Sequence, residues 1–110
     1  MSHTLKAVFV VVVLLVTSGI ASAQVDRGQK VFAAQKCSIC HSVAGVGNKK
    51  GALDGIGAKL SADEIRQWIM SPTEMAAKAK AERKPAMKPF ASLAKDDLDA
   101  LVAYLGSLKK

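Results

Sequence analysis

Several features that often reveal a protein's function are scarce in this chain of 110 residues. Aromatic residues make up 5% of it, which leaves no aromatic platform for stacking nucleobases. The formal charge of +7 therefore does not by itself indicate a nucleic-acid-binding protein. No stretch alternates polar and apolar residues as a strand does, and no internal repeat or long linker is visible. These absences favour one small all-α domain.

Cysteine is also scarce, since Cys37 and Cys40 are the only two. A disulfide between them would close almost no loop and would contribute little stability. A structural zinc site needs four protein ligands. His41 is the only histidine after residue 23, so with the two cysteines it supplies only three, which argues against zinc. A thioredoxin-like redox motif needs a βαβ context, which this sequence does not predict. A domain this small therefore needs another stabilising element, such as a bound cofactor.

Long hydrophobic runs are equally scarce, and the one present is short. Residues 7–16 are all apolar, whereas a membrane-spanning helix needs about 20 such residues. Lys6 precedes the run and an Ala-Ser-Ala sequence at 21–23 follows it, which is typical of a secretory signal peptide. We expect cleavage after residue 23. The remaining domain, residues 24–110, is then expected to be periplasmic or otherwise exported and to have no membrane span. The alternative is an uncleaved segment that anchors the chain in a membrane.

Helix signals predict four helices, and the first two have clear starts. Asp26 is the expected N-cap of a helix that runs to about residue 36. Ser61 and Glu64 form a capping box for the second helix. That helix must end near residue 70 because Pro72 follows. Between these two helices, residues 38–59 contain five glycines and are predicted to be loop.

The third and fourth helices flank a segment that contains two prolines. Ser71 and Glu74 form a second capping box, so a helix is expected from residue 72 to about 83. Pro85 and Pro89 then bracket a short rigid loop. The last helix is expected from about residue 95 to 108, where five apolar residues recur at helical spacing: Leu98, Leu101, Val102, Leu105 and Leu108.

One motif carries chemistry. Residues 37–41 read Cys-Ser-Ile-Cys-His, the C-x-x-C-H signature of c-type haem attachment. Thiols at this spacing, at the end of a helix, can form thioethers with the two vinyl groups on one porphyrin edge. His41 would then lie beneath the ring with its imidazole directed at the iron. The motif predicts one covalently attached haem c, bound through Cys37 and Cys40 and ligated by His41, in agreement with an exported domain.

The sixth position of the iron needs a second ligand, and no further histidine is available in residues 24–110. Met70 and Met75 lie on or near predicted helices, where methionine more often fills a core than binds a metal. Met87 lies between two prolines in a loop that loses little entropy when it presents a sulfur. By analogy with His/Met haem ligation, we predict His41 and Met87 as the axial ligands, with another methionine or an open site as alternatives.

Taken together, residues 24–110 resemble a small class I cytochrome c of the bacterial, monohaem type. Cys37, Cys40 and His41 match the family's haem site, and Met87 with the following Lys-Pro-Phe matches its axial methionine loop. The resemblance implies the cytochrome c fold, with about four helices wrapped around one covalently attached haem. The resemblance also extends to the first and last helices.

Three positions of the family's helix crossing have counterparts here. Gly28 and Phe32 match a Gly-x-x-x-aromatic pattern on the first helix, and Tyr104 matches the aromatic of the last. In the family, the glycine lets the two helices cross closely. Trp68 is expected to be core, although in many relatives such a tryptophan reaches a haem propionate.

The chain departs from the family at two places. Gly51 stands where the family has a proline whose carbonyl accepts the proximal imidazole N–H. The carbonyl remains, but glycine holds it less rigidly. Ala94 stands where a serine or threonine commonly caps the last helix. The loss of this cap is expected to lower the stability of the domain by about 1 kcal/mol.

We expect the chain to be a monohaem one-electron carrier between exported redox proteins, and not an enzyme. Its basic residues either steer docking to acidic faces of redox donors and acceptors or only keep the protein soluble. Those near the motif, the loop and the methionine are Lys36, Lys49, Lys50, Lys59, Lys78, Lys80, Arg83, Lys84 and Lys88. The alternatives are a haem-bearing subunit of a larger oxidoreductase complex and, less favoured, a ligand-binding or peroxidatic haem protein.

Overall fold

The computed structural model describes residues 19–110, and these residues are mostly helical. Helix α1 covers residues 19–34, and the remaining helices are α2 (Ile56–Lys59), α3 (Ala62–Met70), α4 (Pro72–Ala79) and α5 (Lys95–Gly106). Two 3-10 turns, Cys37–Ile39 and Lys49–Gly51, and two short strands, β1 (Ser42–Val43) and β2 (Val46–Gly47), lie between α1 and α2. The all-α class predicted from the sequence is confirmed.

Helix α1 starts earlier than the sequence indicated. Asp26 lies inside the helix, so its predicted role as N-cap is wrong. No proline separates residues 19–25 from the rest, and the alanines among them favour helix. Most of the predicted signal peptide, residues 1–18, lies outside the described residues, and cleavage after Ala23 stays a prediction. Within residues 19–110, no helix is long and apolar enough to cross a membrane.

The capping predictions for α3 and α4 differ in outcome. At the start of α3, Ser61 Oγ accepts from the Glu64 amide at 3.2 Å, and Glu64 Oε1 accepts from the Ser61 amide at 3.1 Å. Helix α4 begins at Pro72 as predicted, but Ser71 makes no side-chain cap. Ser71 is also the C-cap of α3, where its amide donates to the Gln67 carbonyl at 2.7 Å. Because Ser71 both ends α3 and precedes α4, its backbone has φ −135° and ψ 58°, a conformation that does not suit a capping box.

A small antiparallel hairpin replaces part of the loop predicted at residues 38–59. Ser42 pairs with Gly47, and Val43 pairs with Val46. The turn between them has positive φ at Ala44 (52°) and at Gly45 (81°). The strands are two residues each, which is too short for an alternating pattern to be detected in the sequence.

The buried core lies between α1, α3 and α5. Its members are Val31, Phe32, Ile65, Ile69, Leu98, Leu101, Val102, Tyr104 and Leu105. The apolar spacing predicted for the last helix is confirmed, and Ala94 makes no side-chain cap there, as expected. Trp68 is half-buried and lies outside this core, so its assignment as core is wrong.

Helices α1 and α5 cross in close contact at Gly28, as the resemblance implied. A Cβ at this position would lie 2.6 Å from the Cβ of Tyr104 and would overlap the carbonyl oxygen of Ala100. One turn further along α1, the ring of Phe32 packs edge-on against the ring of Tyr104, with centroids 5.7 Å apart. The crossing holds the end of α1 in place, and the C-x-x-C-H motif follows directly from that end.

Candidate functional site

The C-x-x-C-H motif forms a compact turn at the end of α1. Lys36 has positive φ (59°) and redirects the chain out of the helix. The amides of Cys40 and His41 both donate to the Cys37 carbonyl, at 3.1 and 2.9 Å. The turn therefore holds the two cysteines and the histidine close together.

Both cysteines of this turn are free and half-buried, and Cys37 also packs against the core. Burial raises the pKa of the Cys37 thiol, and the neighbouring Cys40 adds to this effect, while a backbone hydrogen bond and Lys88 oppose it. The thiol is therefore protonated at neutral pH. Two free thiols at this spacing fit covalent attachment of a haem through two thioethers.

His41 is held so that one ring nitrogen is left for a metal. Its Nδ1 lies 2.9 Å from the carbonyl oxygen of Gly51. Because a carbonyl only accepts hydrogen bonds, Nδ1 carries the proton and donates it, and Nε2 keeps its lone pair. The backbone carbonyl that the resemblance implied as the partner of the imidazole is thus present, although it belongs to a glycine.

The electrostatic surroundings of His41 also favour the neutral ring. Burial lowers the pKa of the His41 imidazole, the bond to Gly51 opposes this, and the nearby charge of Arg83 lowers it further. Neutral imidazole is the form that binds iron. The side chain therefore fits the role of proximal ligand in its protonation state as well as in its orientation.

Asn48 ties the motif to the segment that carries Gly51. Its side-chain amide donates to the Ile39 carbonyl at 3.1 Å, and its Oδ1 accepts from the Lys50 amide at 3.0 Å. Its own backbone amide lies 3.0 Å from the Ser38 carbonyl and 3.1 Å from that of His41. This residue was not predicted from the sequence, where its only signal is an asparagine before a turn.

Arg83 is a second residue whose role at the motif was not predicted from the sequence. Its guanidinium donates to the Cys40 carbonyl at 2.6 Å, across 43 positions of sequence. The same guanidinium lies in the space that a side chain at position 51 would need, since a Cβ there would lie 2.8 Å from Arg83 Cζ. No local pattern could have indicated this contact, because the two residues are far apart in the chain.

Met87 lies in the segment 80–94 between α4 and α5 and is half-buried. After Met87, the amide of Phe90 donates to the Ile69 carbonyl at the end of α3, at 2.9 Å. Lys88 lies close enough to the motif for its charge to lower the pKa of the Cys37 thiol. The structure thus brings the segment of Met87 near the motif, while Met70 is exposed and Met75 is half-buried on α4.

Known proteins resemble this chain in sequence. A family model described as Cytochrome c matches residues 25–109. A cytochrome c oxidase subunit 2 from Alkalihalophilus pseudofirmus is 27% identical over 93 residues, which cover 76% of this chain. The match covers 25% of that relative, so the chain spans about a quarter of its length. No solved structure matches the chain.

Proposed function

The chain belongs to the cytochrome c family, and on this basis we propose that it is a monohaem carrier that passes single electrons between exported redox proteins. Family membership and the C-x-x-C-H spacing give the chain a covalently bound haem c and a role in electron transfer. The haem, when bound, supplies an iron that changes its oxidation state reversibly by one electron. The observation that carries the proposal is the orientation of His41, whose Nδ1 is engaged by the Gly51 carbonyl and whose Nε2 is free.

In this proposal, Cys37 and Cys40 hold the haem by thioethers, and His41 and Met87 are the axial ligands. The two free thiols, the fixed imidazole and the passage of segment 80–94 near the motif all support this assignment. A thioether sulfur favours ferrous iron and raises the reduction potential relative to two nitrogen ligands. With both axial positions filled by the protein, substrate has no ready access to the iron, which favours a carrier over an enzyme.

Replacement of Met87 tests the axial assignment. We expect the M87L variant to lose the weak sulfur-to-iron absorption band of the ferric protein, while M75L, a matched substitution on α4, keeps it. Leucine is similar in volume to methionine, so neither change should unfold the domain. Retention of the band in M87L would refute the assignment, and its loss in M75L would point to Met75 as the ligand instead.

Exposed basic residues adjoin the motif and support docking to acidic partners, and together they are called the basic rim. We define this rim as the five exposed residues Lys36, Lys49, Lys50, Arg83 and Lys88. Two exposed apolar side chains lie on the same part of the chain, Ile39 (66% exposed) and Val46 (74% exposed). An apolar centre with a charged rim is a common arrangement at protein interfaces.

The rim predicts how electron exchange depends on salt. The association rate with an acidic redox protein should fall as ionic strength rises, because salt screens the attraction. The rate for the double variant K49E/K50E should be lower than that of the wild type at low salt and should converge with it at high salt. A rate that is independent of salt would leave the basic residues with a role in solubility only.

A second candidate function is a haem-bearing subunit of a larger oxidoreductase complex. The likeness to part of an oxidase subunit 2 favours it, although that likeness extends over a quarter of the relative. Co-purification with a catalytic subunit that persists at high salt would support this candidate, whereas a free monomer would support the carrier.

Export of the domain is part of the proposal. Family members with this type of haem acquire it outside the cytoplasm, and the apolar run at residues 7–16 with the following Ala-Ser-Ala supports a cleaved signal peptide. The intact mass of the protein purified from a periplasmic extract should correspond to residues 24–110 with one haem. A mass that includes residues 1–23 would instead support an N-terminal anchor.

A further inference from the structure

The segment that carries Met87 is held to the rest of the protein at few points. Its first anchor is the amide of Ala81, which donates to the Ala76 carbonyl at 2.9 Å, and its last is the amide of Phe90, which donates to Ile69. Within the described residues 19–110, the only hydrogen bond made by residues 82–89 is the one from Arg83 to the Cys40 carbonyl. A segment with so few anchors opens locally at low cost.

The contact of Arg83 lies beside Gly51, in the segment that orients the histidine of the motif. Gly51 has no side chain, and the guanidinium of Arg83 occupies the space that a side chain there would fill. Gly51 is also the residue whose carbonyl orients His41. A single guanidinium therefore touches both the carbonyl of Cys40 and the residue that positions the proximal histidine.

We propose that Arg83 is a positioning residue that ties the Met87 segment to the haem-attachment turn and thereby limits how readily the methionine sulfur leaves the iron. The tie lies four residues before Met87, so it shortens the free stretch between Ala81 and Phe90. A shorter free stretch has fewer conformations in which the sulfur is away from the iron. The inference rests on the axial role of Met87 proposed above, and the experiment below separates the two.

The test compares two variants that lose the same charge. R83Q removes the guanidinium, and K84Q removes the adjacent exposed ammonium, whose side chain makes no hydrogen bond within the described residues. Both are prepared as ferric holoprotein, and imidazole is titrated as a competitor for the sixth position. A charge-assisted bond that is partly exposed is expected to change the apparent imidazole affinity by about three- to tenfold. R83Q should bind imidazole more tightly by this factor, and K84Q should match the wild type.

A second readout reports the tie without depending on the sulfur. Thermolysin cleaves before apolar residues such as Met87 and Phe90, and the rate of cleavage in residues 81–90 measures local opening. R83Q should be cleaved faster than K84Q by a similar factor, while the urea midpoint of unfolding stays the same for both. Equal cleavage rates for the two variants would overturn the proposal, and so would equal imidazole affinities in protein that shows the sulfur-to-iron band.

The two readouts separate the two proposals. If the wild-type ferric protein lacks the sulfur-to-iron band, the axial role of Met87 fails, and the cleavage rates alone decide whether Arg83 ties the segment. If the band is present and imidazole affinity is the same in R83Q and K84Q, the role of Arg83 in retaining the sulfur is wrong while the axial assignment stands.

Discussion

The substitution G28A tests the helix crossing on which the position of the motif depends. A new Cβ would overlap the Ala100 carbonyl oxygen and would lie 2.6 Å from the Cβ of Tyr104. Neither group can rotate away, because one is backbone and the other is fixed to it. The two helices would therefore have to move apart, which also loosens the contact between the rings of Phe32 and Tyr104.

The expected size of the effect is the balance of two terms. Alanine in place of glycine in a helix is favourable by about 1 kcal/mol. Overpacking a tight contact costs about 1–3 kcal/mol, and a clash with backbone belongs at the upper end. G28A should therefore lower the free energy of unfolding by about 1–2 kcal/mol.

Urea unfolding of the holoprotein, followed by circular dichroism, measures this change. With a slope of about 2 kcal/mol per molar urea, the middle of the usual range for small proteins, the midpoint should fall by about 0.5–1 M. The matched control is G106A on α5, where a new Cβ meets nothing within 4 Å. That variant should be as stable as the wild type or slightly more so. A midpoint that rises in G28A, as in the control, would refute the close crossing.

Three further predictions concern caps, charges and the cofactor. S61A should cost about 1 kcal/mol of stability in urea unfolding because it removes a capping box, whereas S71A should cost almost nothing because that serine makes no side-chain cap. Hydrogen bonds from Lys95 and Arg66 lower the pKa of Asp99, so the stabilising effect of this carboxylate is present at neutral pH and is lost as the pH falls through the lowered pKa. The D99N variant should therefore lose less thermal stability on acidification than the wild type. An acid profile identical to that of the wild type would contradict this. The haem-free chain should be largely unfolded by circular dichroism, and a cooperative native-like thermal transition without haem would contradict this.

The parts of the fold that sequence could predict are those with local signals. Ser61 with Glu64 and the proline at position 72 fix both ends of α3, and the apolar spacing on α5 identifies its buried face. The prediction of Asp26 as an N-cap was wrong because a residue that can cap a helix can also lie inside one when the preceding residues are helical too. The hairpin at residues 42–47 gave no signal because strands of two residues have no period.

The residues of the candidate site also fall into two groups, those with a local sequence signal and those without one. Cys37, Cys40 and His41 are contiguous, so their spacing alone indicates the chemistry. The contacts that orient them come from residues far along the chain, and pairwise geometry of this kind has no local pattern. Arg83 was recognised in the sequence only as one basic residue among several, whereas the structure places its guanidinium on the Cys40 carbonyl.

Exposure of the reduced holoprotein to carbon monoxide shows whether the sixth position of the iron is closed. If His41 and Met87 close the iron, the spectrum of the reduced protein will show sharp low-spin bands, and carbon monoxide will not change it. Immediate binding of carbon monoxide, seen as a shift of the main haem band, would show that the sixth position is open. The chain would then be a ligand-binding or peroxidatic haem protein and not an electron carrier with a closed iron.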